Sequence, residues 1–177
     1  MISTLSISGN DFSMSTAALK VMSSDRTTFL YYAVYTNYEW YNQKPSWRLG
    51  KDGITVNWDN SLLYYMANSF YCKNYYQTSG TKYTYSNTST PDEVNQGGIG
   101  ITFDLHNDEM TYLSGTVFFR LSSDQYGSGR STTINSVYAH SLISIPTLSV
   151  GFSGFGVAFS QSAGRDFSSS SDTIYLG

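Results

Sequence analysis

The stretch Ile99-Gly100-Ile101-Thr102-Phe103-Asp104-Leu105 decides the fold class: Ile99, Ile101, Phe103 and Leu105 fall on one side of an extended chain, Gly100, Thr102 and Asp104 on the other. Successive side chains of a strand point to opposite faces, so this alternation predicts a half-buried β-strand. Gly53-Ile54-Thr55-Val56-Asn57-Trp58 repeats the pattern, as do Gly115-Thr116-Val117-Phe118-Phe119-Arg120-Leu121 and Phe155-Gly156-Val157-Ala158-Phe159. The longest β-prone run covers residues 27–41, where Phe29, Tyr31, Ala33 and Tyr35 oppose Leu30, Tyr32, Val34, Thr36, Tyr38 and Trp40. Both faces carry bulk, which fits either a central strand packed on two sides or a strand facing a partner chain.

Between these runs lie breakers: residues 42–46 with Pro45, Asp59-Asn60-Ser61, residues 86–98 with Pro91, Asn107-Asp108-Glu109, and residues 124–131 with Gly127 and Gly129. Asn, Asp, Gly and Pro of this kind make turns and loops. A turn about every 8–15 residues is the spacing of a sandwich or antiparallel barrel. Two stretches have weak helical periodicity, residues 13–22 and 61–68, and the first reads as a short helix or an edge strand. In the Ser- and Gly-rich last third, Leu148, Val150 and Phe152 followed by Phe155, Val157 and Phe159 predict a hairpin joined at Ser153-Gly154. Residues 168–171 predict a loop before a last short strand at 173–176. No repeat of fixed period occurs, which disfavours a solenoid or propeller. The expected architecture is an all-β, antiparallel β-sandwich of jelly-roll or Ig-like type with little helix, a single domain over residues 1–177.

Composition narrows the function. The 177 residues are 13% charged and 16% aromatic, with 16 Tyr, against about a quarter charged in ordinary globular domains. Ten Lys+Arg against 13 Asp+Glu give a net charge of −3, too few cations for a phosphate-tracking surface, so no nucleic-acid partner is expected. No apolar run reaches the roughly 18 residues of a membrane-spanning helix, so no transmembrane segment is expected. Met1-Ile2-Ser3-Thr4-Leu5 lacks the basic-then-apolar pattern of a signal peptide, leaving an unexported protein or the mature part of a secreted precursor. Low charge with abundant Ser, Thr, Asn and Tyr is commonest outside the cell or in virus particles. The lone Cys72 cannot form an internal disulfide and reads as a small buried hydrophobe.

No reaction motif emerges. The two histidines, His106 and His140, have no partner at metal-ligand spacing, so neither a metal nor another cofactor is expected. Alternation puts Tyr138 and His140 on the same face of a strand, where a structural or surface role outweighs catalysis. Scattered acids such as Asp59 and Asp108 suit turns and are too short a series for a calcium loop. A pair of carboxylates brought together from distant strands, as in glycosidases, stays open, but no catalytic residue is assigned. Asn87-Thr88-Ser89 matches the glycosylation acceptor pattern, as chance allows in so Ser/Thr-rich a chain.

The informative feature is the aromatic surplus. Tyr and Trp give large rigid contact areas, stack on sugar faces and dominate interface hot spots; they are also good β-formers for an ordinary core. The candidate ligand or interface residues are Tyr38, Trp40, Tyr41, Trp47, Trp58, Tyr75 and Tyr76.

Tyr38-Glu39-Trp40, then Pro45-Ser46-Trp47-Arg48-Leu49, Val56-Asn57-Trp58-Asp59, residues 98–105 and Tyr138-Ala139-His140-Ser141 occur in an order that resembles small secreted proteins of Gram-positive bacteria, distantly the lactococcin 972-like bacteriocins. The resemblance spans about residues 28–160 and implies export, a β-sandwich and no known enzymatic activity; it carries over no site residue. The leading expectation is a non-enzymatic extracellular or cell-surface β-sandwich acting by binding or self-assembly, its partner a second copy of itself or a cell-surface glycan or protein. The alternatives are a virion protein of the tail, fibre or decoration type, a glycan-binding protein, and a membrane-damaging toxin.

Overall fold

A computed structural model describes residues 5–6, 11–41, 51–78, 83–104, 110–141, 150–153, 156–159 and 165–177. In chain order the strands are β1 (Leu5–Ser6), β2 (Phe12–Met22), β3 (Phe29–Trp40), β4 (Lys51–Asn57), β5 (Tyr64–Tyr65), β6 (Tyr71–Thr78) and β7 (Tyr83–Thr88). They continue with β8 (Glu93–Asn95), β9 (Gly98–Asp104), β10 (Met110–Ser122), β11 (Arg130–Ser141), β12 (Val150–Ser153), β13 (Gly156–Phe159) and β14 (Arg165–Leu176). Sheet I has the order β1-β14-β11-β4-β9-β8 and sheet II the order β2-β3-β10-β6-β7. The short β5 pairs with the end of β10, and β12-β13 form a separate hairpin. All pairings are antiparallel except that of β1 with β14. The two sheets face each other, so the fold is an antiparallel β-sandwich, as the alternating runs predict.

Alternation chooses the buried face of each strand. On β10, Leu113, Val117, Phe119 and Leu121 are buried, and on β3 so are Tyr32, Val34, Thr36, Tyr38 and Trp40. Across the interior they meet Ile54 and Val56 of β4, Ile99 and Ile101 of β9, and Ile134 and Tyr138 of β11. Phe12 of β2 lies 4.6 Å from Tyr138 and Tyr38 5.2 Å from it, centroid to centroid, so aromatic contacts join the sheets. Three hydroxyls pair in this interface: that of Ser136 lies 2.8 Å from both Thr16 Oγ1 and Thr36 Oγ1. At the open side of the sandwich, the Asp172 carboxylate of β14 accepts the backbone N–H of Ala18 on the edge strand β2 (2.8 Å).

The hairpin of β12 and β13 docks through amides that imitate a strand. Asn57 Nδ2 donates to Val157 O (3.0 Å) while Val157 N donates to Asn57 Oδ1 (2.7 Å), and Asn95 Nδ2 donates to Gly156 O (2.6 Å).

Several local expectations change. Residues 13–22 form an edge strand, since β2 pairs with β3 along its length. Residues 61–68 are turns around the two-residue β5, with Leu62 and Leu63 buried, and not a helix. Residues 168–171 are not a loop but the middle of β14, because Ser168 to Ser171 pair with Tyr138 to Asn135 of β11; cross-strand pairing overrides the weak preference of serine for strands. Residues 93–95 within the expected 86–98 loop make the short β8. The turn at residues 124–131 is present, with Gly127 and Gly129 in the left-handed region at φ 88° and 72°. Loop 42–46, the turn at residues 107–109, His106 and the connection at residues 154–155 lie outside the described residues.

Candidate functional site

Most of the aromatic candidates are core. Tyr38, Trp40, Trp58 and Tyr76 are all buried in the hydrophobic cluster. They sit there because alternation within β3 and β6 turns them towards sheet I, and Trp58 follows β4 at the interior edge, where its Nε1 donates to Gln96 O (3.0 Å). Tyr41 and Tyr75 are 42% and 40% exposed. Trp47 lies outside the described residues.

Two polar networks run through this aromatic interior. In the first, Trp40 Nε1 donates to the Tyr138 hydroxyl (3.1 Å), Tyr138 donates to Asp52 Oδ2, and His140 Nδ1–H donates to Asp52 Oδ1 (2.9 Å). Asp52, Tyr138, His140 and Trp40 are all buried, so one carboxylate collects two donors away from water. Such an arrangement is favourable only when every member is satisfied. Burial, reinforced by the neighbouring Asp52 charge, pushes the Tyr138 phenol well above its ordinary pKa. In the second network the Tyr38 hydroxyl donates to Asn74 Oδ1, with Cys72 Sγ 3.8 Å from the same hydroxyl. Burial pushes the Cys72 thiol up to about 11, which makes it an inert sulfhydryl at neutral pH. The His–Asp pair is the arrangement that an acid–base catalyst would use, yet here it is sealed between the sheets.

Solvent instead meets the outer face of sheet II. Register aligns two rows across four strands: Ser13, Glu39, Ser114 and Tyr75 in one, Ser15, Asn37, Thr116 and Lys73 in the other. These rows line a cleft of 460 Å³, bordered by Tyr112. The central side chains are short and polar, so the floor dips. Taller groups stand beside it: Tyr35, Phe118 and Tyr71 make an aromatic ladder with centroid separations of 4.9 and 4.7 Å in the adjoining row. Lys73 lies over the Tyr71 ring at 5.0 Å and Arg120 over Tyr31 at 4.7 Å. Within the cleft Tyr112 donates to Glu39 Oε1 (2.8 Å) and Thr116 Oγ1 to Asn37 Oδ1 (2.7 Å). Of the six candidates among the described residues, the cleft brings together Tyr75 and part of Tyr38. Asn37, Glu39, Lys73, Tyr112, Ser114 and Thr116 were not singled out by composition. The available signal was the break in the odd-numbered face of β3, where Tyr31, Ala33 and Tyr35 give way to Asn37 and Glu39.

No protein-family model and no curated protein matches the chain. Solved structures similar to it include the collagen-binding domain from a Staphylococcus aureus adhesin, at 11% identity and a TM-score of 0.47, covering 92% of this chain and 96% of that one. The T6 backbone pilin of serotype M6 Streptococcus pyogenes is 12% identical with a TM-score of 0.45; the match covers 93% of this chain and 35% of the pilin. AvmM, which catalyses macrocyclization in alchivemycin A biosynthesis, is 13% identical with a TM-score of 0.37 over 96% of this chain and 90% of that one.

Proposed function

We propose that the chain is a non-enzymatic β-sandwich of the cell surface or extracellular space that works by binding, and that it binds through the outer face of sheet II. The observation that carries this reading is the cleft: a concave, water-facing floor whose polar side chains are held in place by cross-strand hydrogen bonds. Neither His nor Cys lines it, while Asp52 and His140 are both buried among the described residues. Recognition needs preorganised groups at a surface, which this face supplies. Export, implied by the resemblance to secreted Gram-positive proteins, belongs to the same proposal.

The test blocks the cleft without touching the core. Ser114 points outward from the middle of the floor, so Ser114→Arg fills the depression and leaves the inner face of β10 intact. Wild type and variant are compared on immobilised triple-helical collagen, purified bacterial cell wall, neutral glycans and the chain itself. The expected result is a probe whose binding falls about tenfold or more, a loss of about 1.4 kcal/mol, with an unchanged melting temperature. Equal binding by both proteins overturns the assignment of this face. Self-assembly is the second reading, favoured by Leu19, 56% exposed on the outer face of edge strand β2; light scattering of both proteins reads it directly.

A further inference from the structure

We infer that the cleft on sheet II takes an uncharged oligosaccharide laid across the strands from β2 to β6. The inference rests on the reading that this face is the binding face, and narrows its ligand to one chemical class.

Over the middle strands of the cleft, backbone pairing excludes the usual mode of peptide capture. β3 is paired on both sides, by β2 and β10, and β10 is paired by β3 and β6. The N–H and C=O groups of β3 and β10 under the centre of the cleft are therefore consumed by the ladder, so an extended peptide cannot add to the sheet there and could pair only along the outer edge of β2. Over that centre, recognition must come from side chains alone. Those of the two rows are hydroxyls, one amide, one carboxylate and one ammonium, a mixture of donors and acceptors rather than a set of apolar pockets.

That mixture suits a polyol, whose hydroxyls both donate and accept. Planar groups with two adjacent polar atoms can bind neighbouring sugar hydroxyls in pairs, and the floor presents two of them. Thr116 holds Asn37 by Oδ1, which points the Asn37 amide donors elsewhere; Tyr112 holds Glu39 by Oε1, which leaves Oε2 as an acceptor. Both groups are thus oriented before any ligand arrives, which lowers the ordering cost of binding. Tyr75, half-exposed in a row that register continues to Tyr85 on β7, adds to the lining an aromatic ring, the kind of group that packs on the C–H-rich face of a pyranose.

Charge argues for a neutral ligand. Glu39 and Lys73 offset one another within the cleft, and the Lys73 ammonium already sits over the Tyr71 ring. A sulfated or uronic-acid chain would gain no net attraction from a lining whose one carboxylate and one ammonium cancel. Three interstrand spacings separate β2 from β6, about 14 Å, enough for a short run of sugar units.

The test uses the intact chain labelled with nitrogen-15 and four soluble probes: cellotetraose, chitotetraose, maltotetraose and mannotetraose. A neutral-glycan array runs in parallel. The expected result is that at least one probe shifts the Asn37 side-chain amide and the backbone amides of residues 114–116, and that Asn37→Ala and Tyr75→Ala each weaken it about fivefold or more at an unchanged melting temperature. Shifts confined to another face overturn the inference, as does silence from every glycan. If the glycans are silent but another probe loses binding on Ser114→Arg, the ligand class is wrong and the binding face stands. If no probe responds to Ser114→Arg, both fall.

Discussion

The hydroxyl of Tyr38 on β3 donates to Asn74 Oδ1 on β6, two strands away in the same sheet. It reaches there by lying over Gly115, the residue of the intervening strand that pairs with both. A Cβ at position 115 would collide with the Tyr38 ring and hydroxyl and come within 2.6 Å of Asn74 Oδ1. The absence of a side chain at Gly115 is what allows an aromatic ring to bridge the sheet, the same compensation by which rings cover glycines in other strands.

Gly115→Ala should therefore destabilise the fold by about 1–3 kcal/mol, the usual cost of overpacking. Tyr38→Phe alone should cost about 1 kcal/mol for the lost hydrogen bond. Because the colliding atoms include the Tyr38 hydroxyl, the double variant should be less destabilised than the sum of the two. Urea denaturation of all four proteins measures this coupling; strict additivity would mean that the hydroxyl is not what a Cβ at position 115 meets.

Tyr38→Ala and Trp40→Ala act on the core, not on a partner surface. Each removes a buried ring and should cost about 3–5 kcal/mol, enough to unfold many domains. Tyr41→Ala and Tyr75→Ala remove half-exposed rings and should change stability by about 0.5 kcal/mol or less. Circular dichroism melts of the four variants separate the classes, and native-like melting of Trp40→Ala would contradict its place beside Phe12 and Tyr138.

Asp52 is the acceptor on which the deeper network depends. Asp52→Ala strands the Tyr138 hydroxyl and the His140 N–H in the interior and should cost about 3–5 kcal/mol. Asp52→Asn keeps one oxygen acceptor but turns an NH₂ towards the second donor, so its cost should be smaller. A loss under about 1 kcal/mol for Asp52→Ala in denaturant titration would show that the network does not hold the sheets together.

Parts of this arrangement are legible in the sequence for a simple reason. Where only one face of a strand is apolar, as with Ile99 and Ile101 or Ile54 and Val56, period-two alternation names the buried face. On β3 both faces are apolar, and the choice falls to which row meets Phe103 and Tyr138 of the other sheet, a contact between residues far apart in the chain. The same non-locality hides the strand at residues 168–171, which exists because β11 pairs with it. Tyr138 and His140 are visibly on one face, but nothing near them announces Asp52, 88 positions from His140. The cleft is hidden for another reason: Ser, Thr and Asn are so common here that only strand register picks out the few that line up.

Alkaline pH tests the buried phenols. Burial holds the Tyr38 and Tyr138 hydroxyls well above their ordinary value of 10.0, and pushes Tyr32 up to about 12. These groups keep their protons in the folded protein while the unfolded chain releases them near pH 10. Below that pH both states are protonated and the contribution to stability is constant. Above it the unfolded state binds fewer protons, so stability falls as pH rises, by about 1.4 kcal/mol per pH unit for each fully buried phenol until its folded value is reached. Tyr38 and Tyr138 together should then remove about 3 kcal/mol per unit above pH 10, and the Tyr32 share should end near pH 12. Tyrosinate absorbance should show a late second stage, cooperative with loss of the β-sheet circular dichroism signal, as the buried phenols ionise. Tyr38→Phe should shrink the second stage and flatten the fall in stability. A single smooth titration of all the tyrosines while the sheet signal stays native would place these hydroxyls in water and refute both buried networks.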